Sequence, residues 1–161
     1  MKKVIITGGT GLVGKRLTSL LANKGYEVNI LCRNPKKPGE YKWDMNEQYI
    51  DEKVFENADA IIHLAGAGVA DSRWTDARKK EIIDSRTKSA QLLFHYLEKG
   101  NHQIQLFISA SAVGFYGDRG NELLTESSSN GTGFLAEVCQ LWENEAEKFS
   151  PLNIAVSKIR I

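Results

Sequence analysis

The sequence predicts a doubly wound α/β fold, and three observations predict it. Apolar runs of strand length alternate with longer stretches of helical spacing along the 161 residues. Runs such as "AIIHLA" and "QLFISA" are apolar on both faces, as a parallel sheet covered by helices on each side requires. The opening stretch "VIITGGTGLVGKRL", residues 4–17, leads an apolar strand through four glycines into the start of a helix.

Taken in chain order, the first strand is expected at about 2–7, ending at the glycines, with a helix over 12–24. "YEVNILC" gives a second strand at 26–32 and a short third follows near 41–44, before a helix over 47–57. "DAIIHLA" is the fourth strand, about 58–64, followed by a long helix over 75–99. "QLFISA" is the fifth, about 104–110, followed after a polar, turn-rich loop "TESSSNGTG", expected to be mobile, by a helix over 133–149. "LNIAVSKIRI" is a strand pattern over 152–161 that ends at the last residue. A domain rarely finishes on a buried strand, so residues 1–161 are expected to be one domain, the amino-terminal piece of a longer protein.

Composition narrows the partners. With 42% hydrophobic residues the chain is large enough for one real core. A formal charge of +1, with no basic run longer than three residues, offers no field for nucleic acid or an anionic membrane surface. Glycines interrupt the apolar run after Lys2 and Lys3 before it reaches the length of a secretory segment. Cys32 and Cys139 lie far apart without metal-ligand spacing, and His63, His95 and His102 form no i, i+4 pair, so reduced thiols, no metal site and a cytoplasmic location are expected.

Gly9, Gly11 and Gly14 match G-x-G-x-x-G, and Gly8, Gly11 and Gly14 match G-x-x-G-x-x-G, both between a strand and a helix. The first glycines permit a tight turn, Gly11 lets backbone approach a pyrophosphate, and Gly14 lets helix and strand pack closely. Phosphate charge then meets free N–H groups at the helix amino-terminus. Gly9 to Lys15 also begins a triphosphate P-loop, but Arg16 stands where a Mg²⁺-binding hydroxyl belongs. This is the pattern of a Rossmann dinucleotide site. An NAD-specific site of this kind ends its second strand with Asp or Glu. Here that strand ends in Arg33 and Asn34, with Lys36 and Lys37 beyond, so NADP(H) is the expected cofactor, its 2′-phosphate held by the Arg33 guanidinium. Asp44, after Trp43, is placed to approach adenine.

With "TGGTGLVG" at the first turn, "DAIIHLAGAG" at the fourth strand and "ISASAVGFYG" after the fifth, the chain resembles the extended short-chain dehydrogenase/reductases, the NAD(P)-dependent epimerase/dehydratase family. The run "RWTDARKKEIIDSRTKSAQLL", residues 73–93, resembles the epimerase-like subgroup described as nucleoside-diphosphate-sugar epimerase homologues. The resemblance implies a small-molecule substrate, with nucleotide sugars the natural class, and a carboxy-terminal substrate domain that this chain lacks. It places Gly8, Thr10, Gly11, Leu12, Val13 and Gly14 at the cofactor phosphates and Cys32, Arg33, Asn34 and Asp44 at its adenosine end. Leu64, Ala65 and Gly66 then lie along ribose and diphosphate, Glu81 and Arg86 near the cofactor, and Ser109 at a strand-end contact.

Members of the family usually transfer hydride with a Ser, a Tyr and a Lys, the Tyr four residues before the Lys: Ser binds the reacting oxygen, Tyr moves the proton, and Lys lowers the Tyr pKa and binds ribose. Ser111 matches the Ser. The expected Tyr-x-x-x-Lys falls on "FLAEV", where Phe134 and Val138 stand instead. A literal match at Tyr49–Lys53 precedes the "HLAG" strand and is taken as chance, which leaves Tyr116 as a candidate acid or as a ring packed under the following loop. Two readings stay open: an NADP(H)-dependent oxidoreductase or epimerase with altered proton-transfer groups, and a catalytically silent NADP-binding sensor or partner-binding module. Family members often dimerise through the helices matching 75–99 and 133–149, so a homodimer built on Leu92, Leu93, Tyr96, Leu135, Val138 and Trp142 is expected.

Overall fold

In a computed structural model that describes residues 2–100 and 102–161, strand and helix alternate as β1 (Lys3–Thr7), α1 (Leu12–Asn23), β2 (Glu27–Cys32), β3 (Glu40–Asp44), β4 (Tyr49–Ile50), β5 (Ala60–His63), α2 (Asp76–Leu97), β6 (Leu106–Ser111), α3 (Phe134–Glu147) and β7 (Ala155–Arg160). Short 3₁₀ turns cover Glu52–Phe55, Val113–Tyr116 and Ser150–Leu152. The strands form one sheet in the order β4-β3-β2-β1-β5-β6-β7, parallel throughout except for the antiparallel β3–β4 pair. This is the doubly wound fold that the sequence predicts.

The chain leaves β1 in one direction to build β2 and β3, and resumes on its other side with β5, β6 and β7. Right-handed crossovers in opposite directions put α1 on one sheet face and α2 with α3 on the other. The strand order therefore reverses between β1 and β5, and a crevice opens there at the strands' carboxyl ends. The main core lies between the sheet and the α2/α3 layer, where Ile5, Ile61, Leu92, Leu93, Leu97, Phe107 and Phe149 are all but fully buried. Phe107 of β6 stacks on Phe149 with ring centroids 3.9 Å apart, fastening the carboxyl end of the α3 segment to the sheet.

Residues 47–57 do not form the expected helix. Ile50, Val54 and Phe55 are buried, and their spacing imitates one helical face. The backbone instead turns sharply after β3, where the Asp44 carboxylate accepts from the amides of Asn46 at 2.9 Å and Glu47 at 3.3 Å. Gln48 then takes a left-handed φ of 50°, and β4 pairs back on β3 before Asp51 caps the 3₁₀ turn through the Lys53 amide. Local side-chain capping wins over periodicity here.

β7 is a sheet-edge strand with most of its residues exposed, unlike the buried strand that the sequence pattern implies. Leu92, Leu93, Val138 and Trp142 are consumed by the chain's own α2/α3 packing, so among the six residues expected at a dimer seam only Tyr96 and Leu135 keep appreciable surface. Cys32 and Cys139 are both buried free thiols. Among the described residues no helix is long and apolar enough to cross a membrane, and no group of His, Cys, Asp or Glu is arranged to hold a metal.

Candidate functional site

A cleft of about 1190 Å³ runs along the carboxyl ends of β3, β2, β1 and β5. Its floor is the β1–α1 turn. Gly8 adopts φ +68°, and a Cβ there would stand 2.9 Å from the backbone of Leu64. A Cβ on Gly14 would press into the backbone of Gly8 and meet the Gly9 Cα at 2.6 Å, so only glycine lets α1 start this close to β1. Gly11 caps α1 without a side-chain hydrogen bond, and the first turn carries no acid. The amides of Leu12, Val13 and Gly14 are the unsatisfied donors of a helix start. A glycine cradle backed by these donors fits a diphosphate and leaves no room for side chains in its place.

The wall facing this turn is the Leu64–Gly68 segment, held from below by a buried polar chain. The Thr7 hydroxyl accepts from the amides of Leu64 (3.1 Å) and Ala65 (3.2 Å), which uses both its lone pairs. Its proton therefore goes to His63 Nδ1 at 2.8 Å, which leaves the other ring nitrogen, Nε2, to donate to Ser89 Oγ at 3.1 Å. Ser89 donates in turn to the Ser85 carbonyl at 2.8 Å. Full burial pushes the His63 pKa down to about 4, so the imidazole is neutral, as this chain of donors demands. Ser85 also accepts from the Ala67 amide at 2.9 Å, and Arg86 Nη1 donates to the Ala67 carbonyl at 3.0 Å. Arg78 closes the outer end, donating to the Gly68 carbonyl and pairing with Glu81 at 2.7 Å.

Of the positions named from the sequence, Gly8, Thr10, Gly11, Cys32, Arg33, Asn34, Asp44, Leu64, Ala65, Gly66 and Glu81 line this one cleft. Leu12 and Val13 are exposed at the start of α1, and Gly14 is buried beneath the turn. Arg33 is exposed at the β2 end of the cleft, with no ion pair among the described residues. Arg86 lies beneath Gly66, its Cζ 3.0 Å from where a Cβ on that glycine would be. Ser109 does not reach the cleft: it is buried, and its hydroxyl donates to the Ala110 carbonyl.

Ser111 and Tyr116 belong to a separate network beside the cleft. The Ser111 hydroxyl donates to Glu143 Oε1 at 2.6 Å, and Arg160 grips both oxygens of that carboxylate at 2.8 and 2.9 Å. Arg160 also donates to the Tyr116 hydroxyl at 2.8 Å and lies 3.6 Å over the Phe115 ring. Burial opposes ionisation of Glu143, but the Arg160 and Ser111 hydrogen bonds outweigh it and hold the carboxyl below its usual range. Tyr116 is buried, its hydroxyl is taken by Arg160, and a Cβ on Gly131 would collide with its backbone. The face of α3 turned to this region carries Leu135 and Cys139, which lie 3.4 and 3.8 Å from a Cβ built on Gly114. Phe134 points elsewhere, packing edge-on against Trp74 at 5.1 Å, and Val138 is buried. Sequence reasoning missed Thr7, Ser89, Glu143 and Arg160. A histidine inside an apolar strand and a glutamate on an otherwise apolar helix face were the available signals.

A family model, described as NAD dependent epimerase/dehydratase family, matches residues 4–134. The chain belongs to this family. An epimerase family protein of Mycobacterium leprae is 33% identical over 141 residues, 87% of this chain and 45% of that protein. A crystal structure of the nucleoside-diphosphate sugar epimerase from Corynebacterium glutamicum superposes with a TM-score of 0.84 at 41% identity, covering 99% of this chain and 33% of that one. Human epimerase family protein SDR39U1, solved with NADPH, gives 0.77 at 27% identity, over 89% of this chain and 48% of that one. The chain thus spans about half the length of the curated family relatives it matches.

Proposed function

We propose that this chain is the cofactor half of an NADP(H)-dependent epimerase or oxidoreductase acting on a small-molecule substrate of the nucleotide-sugar class. The observation that carries the cofactor choice is Arg33, a cation without an ion pair among the described residues, at the end of β2 and on the wall of the cleft. Its position is the one at which an NAD-specific site carries an acid that accepts from the ribose hydroxyls and would repel a 2′-phosphate. The human relative solved with NADPH supports the same choice. When bound, the nicotinamide supplies hydride transfer, while the chain's own residues bind and orient it: the glycine turn at the diphosphate, Leu64–Gly66 at the ribose, Asn34 and Asp44 at the adenosine.

Proton transfer is the altered part. Neither Phe134 and Val138 nor Leu135 and Cys139 can move a proton as a Tyr-x-x-x-Lys pair does, and the Ser111 proton is directed at Glu143. That arrangement also favours a second reading, a silent NADP-binding module. Titrating full-length protein with NADPH and NADH tests the cofactor, tighter NADPH binding being the expected result and equal affinities the adverse one. Nicotinamide oxidation and reduction against nucleotide sugars and small carbonyls then separates enzyme from sensor.

A further inference from the structure

The outer end of the cleft holds a cation with one weakly bound partner. β5 ends at His63, and Gly68, Asp71 and Arg78 line the cleft beyond Leu64–Gly66, the stretch assigned to the cofactor ribose. The Arg78 side chain, on the first turn of α2, is 14% exposed, and its guanidinium donates to the Gly68 carbonyl, to Glu81 Oε2 at 2.7 Å and to Asp71 Oδ2 at 3.3 Å. Its Nε is buried and has no partner among the described residues. The bond to Asp71 is the weak one. It is long, the Asp71 side chain is 70% exposed, and such pairs contribute little.

Asp71 nevertheless occupies a particular place. Its carboxylate lies against Gly68, where a Cβ would collide with it, so the acid fills space that glycine leaves open on the cleft wall. The turn does not need it there. Trp74 Nε1 donates to the Val69 carbonyl at 2.7 Å, and the Thr75 hydroxyl accepts from the Arg78 amide at 3.2 Å, which fastens the same turn to the start of α2. An anion with two oxygens to offer can replace the carboxylate on the guanidinium fork.

We propose that Arg78 binds a phosphate of the nucleotide-sugar substrate, with the Asp71 carboxylate as an internal competitor for the same nitrogen. The inference rests on the nucleotide-sugar reading of the substrate. The cofactor's phosphates are provided for elsewhere, the diphosphate at the glycine turn and the 2′-phosphate at Arg33, so a further anion at the outer end belongs to the substrate. Glu81 keeps Nη1 and fixes the orientation of the fork, while Nη2 changes partner.

The test titrates full-length protein, saturated with NADPH so that the glycine turn is occupied, with uridine, guanosine and thymidine diphosphate. Arg78→Gln should weaken the nucleotide that binds on the order of ten-fold or more, and Arg78→Lys should recover part of the loss. Asp71→Asn should tighten the same nucleotide by about two- to five-fold, because it removes the competing charge and keeps the shape. NADPH affinity should stay within about two-fold in all three variants. Asp71→Asn that leaves the nucleotide unchanged or weakens it means that the pair only braces the turn, and overturns the assignment. Arg78→Gln that weakens NADPH as much as the nucleotide also overturns it, since Arg78 then serves the cofactor. Wild-type protein that binds NADPH but none of the three diphosphates overturns the nucleotide-sugar reading together with the inference, whereas nucleotide binding that Arg78→Gln leaves intact overturns the inference alone.

Discussion

Thr7 and His63 face each other in register on neighbouring parallel strands, Thr7 Oγ1 2.8 Å from His63 Nδ1, and the pair anchors the wall of the cleft to its floor. Because the Thr7 proton goes to His63, a protonated imidazole would confront a hydroxyl that has no lone pair left to offer. The fold therefore depends on His63 staying neutral.

That dependence sets a pH profile. Below about pH 6.5 the unfolded chain takes up a proton at His63, whereas the folded chain, with its pKa pushed down to about 4, refuses it. Stability is thus complete above the unfolded value and falls as pH drops toward 4, by about 1.4 kcal/mol per unit and about 3 kcal/mol in all. Urea unfolding at pH 7.0, 5.5 and 4.5 measures this, with His63→Gln as the control whose profile should be much flatter over the window. A wild-type profile equally flat contradicts the buried neutral assignment.

Glu143 and Arg160 make the second dependence. Their side chains are only 7% and 17% exposed, and each leaves the other uncompensated when removed. Glu143→Ala and Arg160→Ala should each cost about 3–5 kcal/mol in chemical denaturation. The double variant should cost less than the two together, by about 1–3 kcal/mol, because the second removal relieves the charge stranded by the first. Strict additivity would mean that the pair does not act as a unit.

How far this was legible in the sequence depends on the range of the physics involved. β1, α1, β5 and β6 read clearly because their periodicity, doubly apolar strands and glycine turn are local properties. Residues 47–57 misled because Ile50, Val54 and Phe55 are buried at helical spacing, while the turn chemistry of Asp44 and Gln48 decides the backbone. The Ser111 network was illegible for another reason. Arg160 lies 17 residues after Glu143 and reads as a solvated edge-strand cation until β6–β7 pairing sets Ser111 opposite it.

Close packing at Gly14 yields a third prediction. A methyl group there would drive into the backbone of Gly8 and Gly9, neither of which has a side chain to move aside. Gly14→Ala should therefore destabilise the protein by about 2–4 kcal/mol, against the small gain that alanine ordinarily brings to a helix. It should also abolish cofactor binding, since the cradle cannot keep its shape. A thermal melt alongside an NADPH titration checks both. A variant as stable as wild type would show that α1 can start further from β1 than it does.

The last prediction separates cofactors at Arg33. The guanidinium stands exposed at the end of β2 on the cleft wall, with Asn34 beside it and no acid in the Arg33–Lys37 stretch. Two alternatives differ in what they expect. If Arg33 is a solvated loop cation, replacing it changes little for either cofactor, because exposed charges contribute weakly. If it meets a 2′-phosphate, two parallel charge-assisted hydrogen bonds are lost together with the stacking of its plane on adenine. Arg33→Ala should then weaken NADPH binding by about 1.5–3 kcal/mol, roughly ten- to a hundred-fold, and leave NADH nearly unchanged. Arg33→Lys should fall between, keeping the charge but losing the paired geometry. Calorimetric titration of the three proteins with both cofactors measures the pattern. Equal losses for NADPH and NADH would place Arg33 at the shared part of the dinucleotide, and no loss for either would return it to the solvent.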